Sequence, residues 1–194
     1  MKLLTERLIL RDITEKDAKD IVRNINNLNV SKNLLVVPYP YSMKDAKKWI
    51  KHCKKDAKKK PRESYELGIE LKSEKRIIGG IGLSKVNRYQ GTAMIGYWLG
   101  ENYWRKGYMH EATQKILDFA FNKLKLRRLD VEAFAENEGS NSLIKKLCFR
   151  YEGTMIKRLR SKADGKIHDE NKYGLLREDY LKRNLKHHAY SKQT

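Results

Sequence analysis

The stretch "GYWLGENYWRKGYMHEA", residues 96–112, changes character halfway along its length. Up to Leu99 it is short, aromatic and apolar, which predicts a strand. From Met109 the apolar positions Met109, Ala112, Ile116, Phe119 and Ala120 recur at helical spacing, which predicts a helix. Arg105 and Lys106 fall where that helix begins. The first turn of a helix carries unpaired N–H groups and about +0.5 of an elementary charge, so it favours anions. Two cations beside Gly107 either meet an anion bound at that spot or are incidental in a basic chain.

The chain is indeed basic: 43 Lys and Arg against 24 Asp and Glu in 194 residues, a formal net charge of +19. Such an excess attracts polyanions (nucleic acid, anionic membrane, phosphorylated cofactors) without choosing among them. Hydrophobic residues at 40% still permit a packed core. Cys53 and Cys148 lie far apart and form no CxxC pair, so neither a disulfide framework nor a zinc site is expected. The apolar part of "MKLLTERLILRD" is too short and too charged for a signal peptide, and no run approaches the roughly 20 apolar residues of a membrane span. A soluble, cytoplasmic protein without membrane contact is the expectation.

Outward from the central stretch, the periods sort the rest of the chain. "TERLILRD" reads as a first strand. Thr14 with Asp17, and Ser42 with Asp45, have the spacing of capping boxes that open two helices. In the second, Met43, Ala46, Ile50, Cys53 and Ala57 form an apolar stripe with Trp49 alongside, lysines cover the other faces, and Pro61 fits a stop. "SYELGIEL", "RIIGGIGLSKV", "TAMIGYWLG" and "RRLDVEAFA" read as strands, "SNSLIKKLC" as a short helix. "TMIKRLRSKADGKIHDENKYGLL" reads as a hairpin around Asp164-Gly165. The order is strand, two helices, three strands, helix, strand, helix, hairpin. It predicts one mixed α/β domain over residues 1–180 and a basic, loose tail over 181–194.

Four segments in this order resemble the GNAT superfamily of acyl-CoA-dependent N-acetyltransferases, and within it the ribosomal-protein N-terminal (Rim-type) branch. They are "TERLILR", "IGYWLGENYWRKGYMHEA", "AENEGSNSLIKKLCF" and "FRYEG". The resemblance runs from about residue 5 to about residue 180. It implies an α+β fold: a central, twisted, mostly antiparallel sheet flanked by helices, with splayed middle strands. It also implies acetyl-CoA as acetyl donor and a primary amine as acceptor. The family's Gln/Arg-x-x-Gly-x-Gly/Ala pyrophosphate loop falls on Trp104, Arg105, Lys106, Gly107, Tyr108 and Met109, keeping the central glycine and departing at the first and last positions. A glycine at a helix N-terminus is also what close approach to a phosphate requires.

The resemblance further places the pantetheine arm beside the backbone of Tyr97, Trp98 and Leu99, with an N–H near Leu99 available to a developing oxyanion. It assigns Asn137 to cofactor or substrate hydrogen bonding and Ser140 to the neighbourhood of the sulfur. Asn137 or Ser140 alternatively caps the short helix. Many members carry a tyrosine acid four residues after that serine; here the position is Ile144, and Cys148 replaces the usual glycine before Phe149. Ser140 or water is left as the proton donor. Glu101 and Glu132 are candidate bases, acting through a water.

A protein N-terminus, possibly ribosomal, is the acceptor class implied. A polyamine or aminoglycoside acceptor is the alternative within the superfamily, although a positive field repels polycations. The rival from another class is a nucleic-acid- or ribosome-binding module resting on "KKWIKHCKKDAKKKPR", but no nucleic-acid-binding signature accompanies it. A secondary RNA or ribosome contact would suit an enzyme acting on ribosomal proteins. "GGIGLSK" lacks the Walker spacing. His52, His110 and His168 are isolated, and His187 and His188 fall in the tail, so no metal is expected. Oligomeric state is left open, a homodimer included.

Overall fold

Apolar residues at period two between residues 65 and 99 pair as an antiparallel meander, the centre of the computed structural model. The structure describes the backbone of residues 1–190 and the side chains of residues 1–183; residues 191–194, and the side chains of His187 and His188, lie outside the described residues. Among the described residues eight strands form one sheet: β1 (Lys2–Leu4), β2 (Leu8–Asp12), β3 (Tyr65–Leu71), β4 (Arg76–Asn87), β5 (Thr92–Leu99), β6 (Arg128–Phe134), β7 (Arg150–Arg160) and β8 (Ile167–Leu176). Their order across the sheet is β1-β2-β3-β4-β5-β6-β8-β7. Every described pairing is antiparallel except that of β5 with β6. This is the mixed, mostly antiparallel architecture anticipated from the sequence.

Among the described residues six α-helices flank it: α1 (Ala18–Ile25), α2 (Leu28–Ser31), α3 (Met43–Ala57), α4 (Tyr108–Asp118), α5 (Glu138–Lys146) and α6 (Arg177–Tyr190). Both expected capping boxes are present: Thr14 with Asp17 opens a 3-10 turn leading into α1, and Ser42 with Asp45 opens α3. Three details differ from the sequence expectation. The opening strand is a hairpin of two short strands, α2 follows α1, and residues 181–190 continue α6. That last helix starts docked, since Arg177 Nε donates to the Phe121 carbonyl at 3.1 Å and Tyr180 packs on the Phe121 ring.

Successive strand side chains point to opposite faces, so the sheet carries two cores. Ile77 enters one, with Ile21 of α1 and Ile50 and Cys53 of α3. Its neighbour Ile78 enters the other, with Ala112 and Ile116 of α4 and Ile144 of α5. The parallel seam holds only Thr92–Ile95 against Arg128–Val131. Beyond it β5 stays with β4 up to Leu99 and β6 stays with β8 up to Phe134, so the two strands part. Gly100 N–H bonds the Ile78 carbonyl at 2.9 Å. By ladder alternation Trp98 then pairs with β4, while the backbone groups of Tyr97 and Leu99 face the gap.

Close approach of β4 to β5 sets this divergence. A Cβ on Gly79 would lie 2.5 Å from the Trp98 carbonyl oxygen and 3.2 Å from Leu99 Cα, both backbone atoms. Gly79→Ala is expected to cost about 1–3 kcal/mol through forced backbone shifts. Thermal denaturation would register this as a fall of about 2–4 °C per kcal/mol. An unchanged midpoint would contradict the tight approach.

Candidate active site

The gap between β5 and β6 opens into a cleft of about 770 Å³ that reaches both faces of the sheet. One mouth lies on the face of α4 and α5, the other on the face of α1 and the loop after α2. At the first mouth the chain turns from β5 into α4 through Trp104–Arg105–Lys106–Gly107. Arg105 (φ 60°) and Gly107 (φ 80°) are both left-handed. Gly107 adopts this freely, whereas a side chain there costs Arg105 about 1–2 kcal/mol. Alternating hand along a chain turns successive N–H groups into one concavity. Gly107 is the N-cap of α4 and supplies no side-chain cap. Among the described residues, no acceptor engages the amides of residues 105–110. Six consecutive donors at a helix N-terminus are a fit for a pyrophosphate.

The first strands hold this loop in place. Glu111, in the first turn of α4, accepts from Thr5 Oγ1 (2.6 Å), Arg7 N (2.8 Å) and Arg7 Nε (2.7 Å). Arg7 Nη1 donates to the Lys106 carbonyl at 3.0 Å, and the guanidinium lies 4.6 Å from the Tyr108 ring centroid. Glu111 thus spends its charge on Arg7 rather than on whatever anion occupies the loop. Trp104 Nε1 donates to the Leu99 carbonyl at 2.8 Å, which ties the loop to the strand end and leaves the Leu99 N–H to the gap.

On the same face, Tyr97, Leu99, Tyr108, Met109, Asn137 and Ser140 all line the cleft. Tyr97 Oη lies 2.8 Å from Ser140 Oγ. Asn137 is the N-cap of α5, its Oδ1 accepting from Ser140 N at 3.1 Å, so the capping reading of this residue holds. Arg105 and Lys146 bring positive charge to the mouth. His110 also lines it; burial, then Lys146 and Arg183, push its pKa down, so it is neutral at neutral pH.

The opposite mouth is apolar and acidic. Val30, Leu34 and Leu35 border it with Trp98, Phe134 and Leu159. Glu132 and Glu170 also line it, and Lys172 bonds Glu132 and sits 3.2 Å from Glu170 Oε2. Glu170 is 5% exposed. Burial, with Glu132 adding to it, pushes its carboxyl up against the pull of Lys172.

Two expected site residues stand elsewhere. The Glu101 carboxylate accepts from Asn27 Nδ2 (2.5 Å) and Asn29 Nδ2 (2.9 Å) and is not on the cleft wall. It anchors the segment around α2 rather than facing a reactant. The Lys106 ammonium sits 5.9 Å from the Tyr103 ring centroid, and Lys106 is not on the cleft wall. Ile144, at the position where the resemblance would put a tyrosine acid, is 1% exposed in the core. Glu170, Lys146 and the Thr5–Arg7–Glu111 clamp were missed. The clamp alone left a signal, since "TERLILR" and "HEA" both belong to the recognised segments.

Burial raises the Glu111 carboxyl, but hydrogen bonds from Thr5 and Arg7 outweigh it and hold the group below its ordinary value. A depressed folded pKa means that the contribution is present above the unfolded pKa and lost as pH falls through the folded one. Glu111→Gln is expected to leave a folded protein whose CoA affinity, measured by calorimetry, falls about tenfold or more, charge-assisted hydrogen bonds being worth about 1.5–3 kcal/mol. Wild-type affinity at neutral pH in this variant would show that the clamp does not shape the loop.

Residues 7–150 match the family model described as an acetyltransferase (GNAT) domain. The uncharacterised N-acetyltransferase p20 of Bacillus licheniformis is 31% identical over 180 residues, covering 92% of this chain and 97% of its own. Among solved structures, the ribosomal-protein-S5-alanine acetyltransferase of Vibrio fischeri is similar in fold, with a TM-score of 0.78 at 21% identity over 92% of this chain and 98% of that one. The spermidine N-acetyltransferase of Vibrio cholerae, solved with CoA and spermine, has a TM-score of 0.76 at 21% identity over 91% and 99%. The chain belongs to the GNAT family of acyl-CoA-dependent N-acetyltransferases.

Proposed function

We propose that the protein moves an acetyl group from acetyl-CoA to the α-amine of a protein N-terminus, a ribosomal protein being the favoured class, in the cytoplasm. The observation that carries this reading is the two-sided gap: the amides of Arg105 and of residues 107–110 at one mouth, two carboxylates at the other. Residues 105–110, with Arg105 and Lys146, hold the pyrophosphate. The backbone of Tyr97 pairs with the pantetheine amides, and Leu99, its carbonyl held by Trp104 Nε1, uses its N–H to receive charge developing on the thioester oxygen. Asn137 fixes the start of α5 beside the thioester, and Ser140 supplies a hydroxyl near the sulfur.

The amine enters from the opposite face, so that acceptor and donor meet only inside the gap. Glu170, with Glu132, takes up its proton. A carboxyl whose pKa is raised remains a base above that pKa and is lost as one when pH falls through it. Glu170→Gln is expected to lower kcat by about 10²-fold with the KM for acetyl-CoA unchanged, and to remove the acid limb of the pH–rate profile. Equal rates in the two proteins would remove Glu170 from the reaction.

The acceptor is tested by mass spectrometry on peptides with free or blocked N-termini, with spermidine alongside. A peptide N-terminus suits an apolar mouth lined by two carboxylates that share Lys172. The +19 charge opposes a polycation. Acetylation of free-amine peptides alone is expected; acetylation of spermidine and no peptide would move the reading to a small-molecule amine.

A secondary contact with ribosomal RNA has its own observation. Lys47, Lys51, Lys54, Lys55 and Lys58 line one surface hollow along α3, with Glu15 bonding Lys54. Like charges at i,i+4 cost an isolated helix about 0.2–0.5 kcal/mol per pair, which a phosphate backbone would offset. Lysine-to-glutamate changes along this face are expected to abolish co-sedimentation with ribosomes at low salt; unchanged co-sedimentation would exclude the face.

A further inference from the structure

The hydroxyl pair on the cofactor side of the gap has a direction. Tyr97 Oη and Ser140 Oγ are 2.8 Å apart, and this is the hydrogen bond that each hydroxyl makes among the described residues. A phenol O–H in a buried setting needs an acceptor, and Ser140 Oγ is the one within reach. Ser140, at the first turn of α5, has its backbone N–H taken by Asn137. If the phenol donates to the serine, the serine hydrogen has no protein acceptor and is free to turn into the cleft that both residues line. The position four residues after Ser140, Ile144, lies in the core at 1% exposure and offers no proton. The acid and the base are thereby separated across the sheet. Tyr97 and Ser140 stand on the α4 and α5 face, and Glu132 and Glu170 on the other.

We propose that Tyr97 is a positioning residue: its phenol donates to Ser140 Oγ and so aims the serine O–H at the sulfur of the departing CoA. This rests on the reading of the cleft as the acetyl-CoA site. As the carbon–sulfur bond breaks, its electron pair passes to sulfur. Ser140 gives its hydroxyl proton to that sulfur, the Tyr97 proton replaces it on Oγ, and the phenolate oxygen recovers a proton from water. The proton released by the amine leaves through Glu170, so protons balance over the turnover. Burial pushes the Tyr97 phenol up to about 12, so it is protonated and able to donate at neutral pH. The resting hydrogen bond also serves the reverse species: CoA bound as its thiolate gains the serine donor directly and the tyrosine through it.

That last point permits a test without an acceptor. The ionisation of the CoA thiol bound to the protein is followed by ultraviolet thiolate absorbance, read against the complex with desulfo-CoA to cancel tyrosine. In the wild-type protein the bound thiol is expected to titrate about one unit or more below its value in Tyr97→Phe, a tenfold or larger shift of the thiol–thiolate equilibrium. Ser140→Ala should match Tyr97→Phe, and the double variant should add little, as groups acting in series do. Affinity for desulfo-CoA should be unchanged in all of them. Should Tyr97→Phe fail to fold, a fluorinated tyrosine placed at position 97 keeps the shape. Its more acidic phenol should lower the bound thiol pKa further, whereas an unmoved value refutes the relay. CoA bound normally with one and the same thiol titration in every protein overturns the proposal and leaves the acetyl-CoA reading standing. No binding of CoA to the wild-type protein overturns that reading, and the relay with it.

Discussion

The structure depends on one constraint: β5 and β6 are each held more firmly on their outer side than to each other. β5 follows β4, whose Gly79 and Gly80 admit it closely, and β6 follows β8. Their shared parallel seam therefore ends at Ile95 and Val131, in the middle of the sheet. Backbone groups buried in a sheet interior are ordinarily paired. The gap leaves the backbone of Tyr97 and the Leu99 N–H without a strand partner on the β6 side, while Trp104 Nε1 takes the Leu99 carbonyl; an extended ligand with its own amides is the partner we propose for them. The same opening makes the cleft continuous between the two faces, which is what lets the proposed donor and acceptor approach from opposite sides.

Electrostatics then distinguishes the mouths. On one side, amides 105–110 and the cations Arg105 and Lys146 favour phosphate. A carboxylate in the first turn of α4 would work against this, and the N-terminal hairpin removes that conflict by binding Glu111 through Arg7 and Thr5. On the other side, Glu132 and Glu170 share Lys172, and the buried one has its carboxyl raised. The two environments lie at opposite ends of the one cleft. The proposed acid, Ser140, and the proposed base, Glu170, thus have divergent surroundings.

Much of this was legible in the residues, and the remainder has identifiable reasons for being hidden. The strand-to-helix change at residues 96–112 and the boxes at Thr14 and Ser42 are local signals, and each element they predict is present. Gly107 was legible because a glycine at a helix start has few other uses. Glu101 misled because a carboxylate just past a strand end looks available; Asn27 and Asn29, more than 70 residues earlier, take it up. Glu170 was hidden in a hairpin whose alternation gives no clue to its neighbours. Its meaning comes from register, which sets Glu170 opposite Phe134 and Lys172 opposite Glu132. Lys106 shows the limit of charge counting: sequence supplies the cation, but the hand of the backbone decides where it points.

The proposed site rests on amides 105–110 as donors to a pyrophosphate. Hydrogen exchange of those amides, with and without CoA, tests it most directly, because groups without acceptors exchange fast and groups bonded to ligand do not. The account predicts rapid exchange across 105–110 in the free protein and slowed exchange there on adding CoA, with α3 unaffected. CoA bound with exchange at 105–110 unchanged, or with protection along the lysine face of α3 instead, would contradict it.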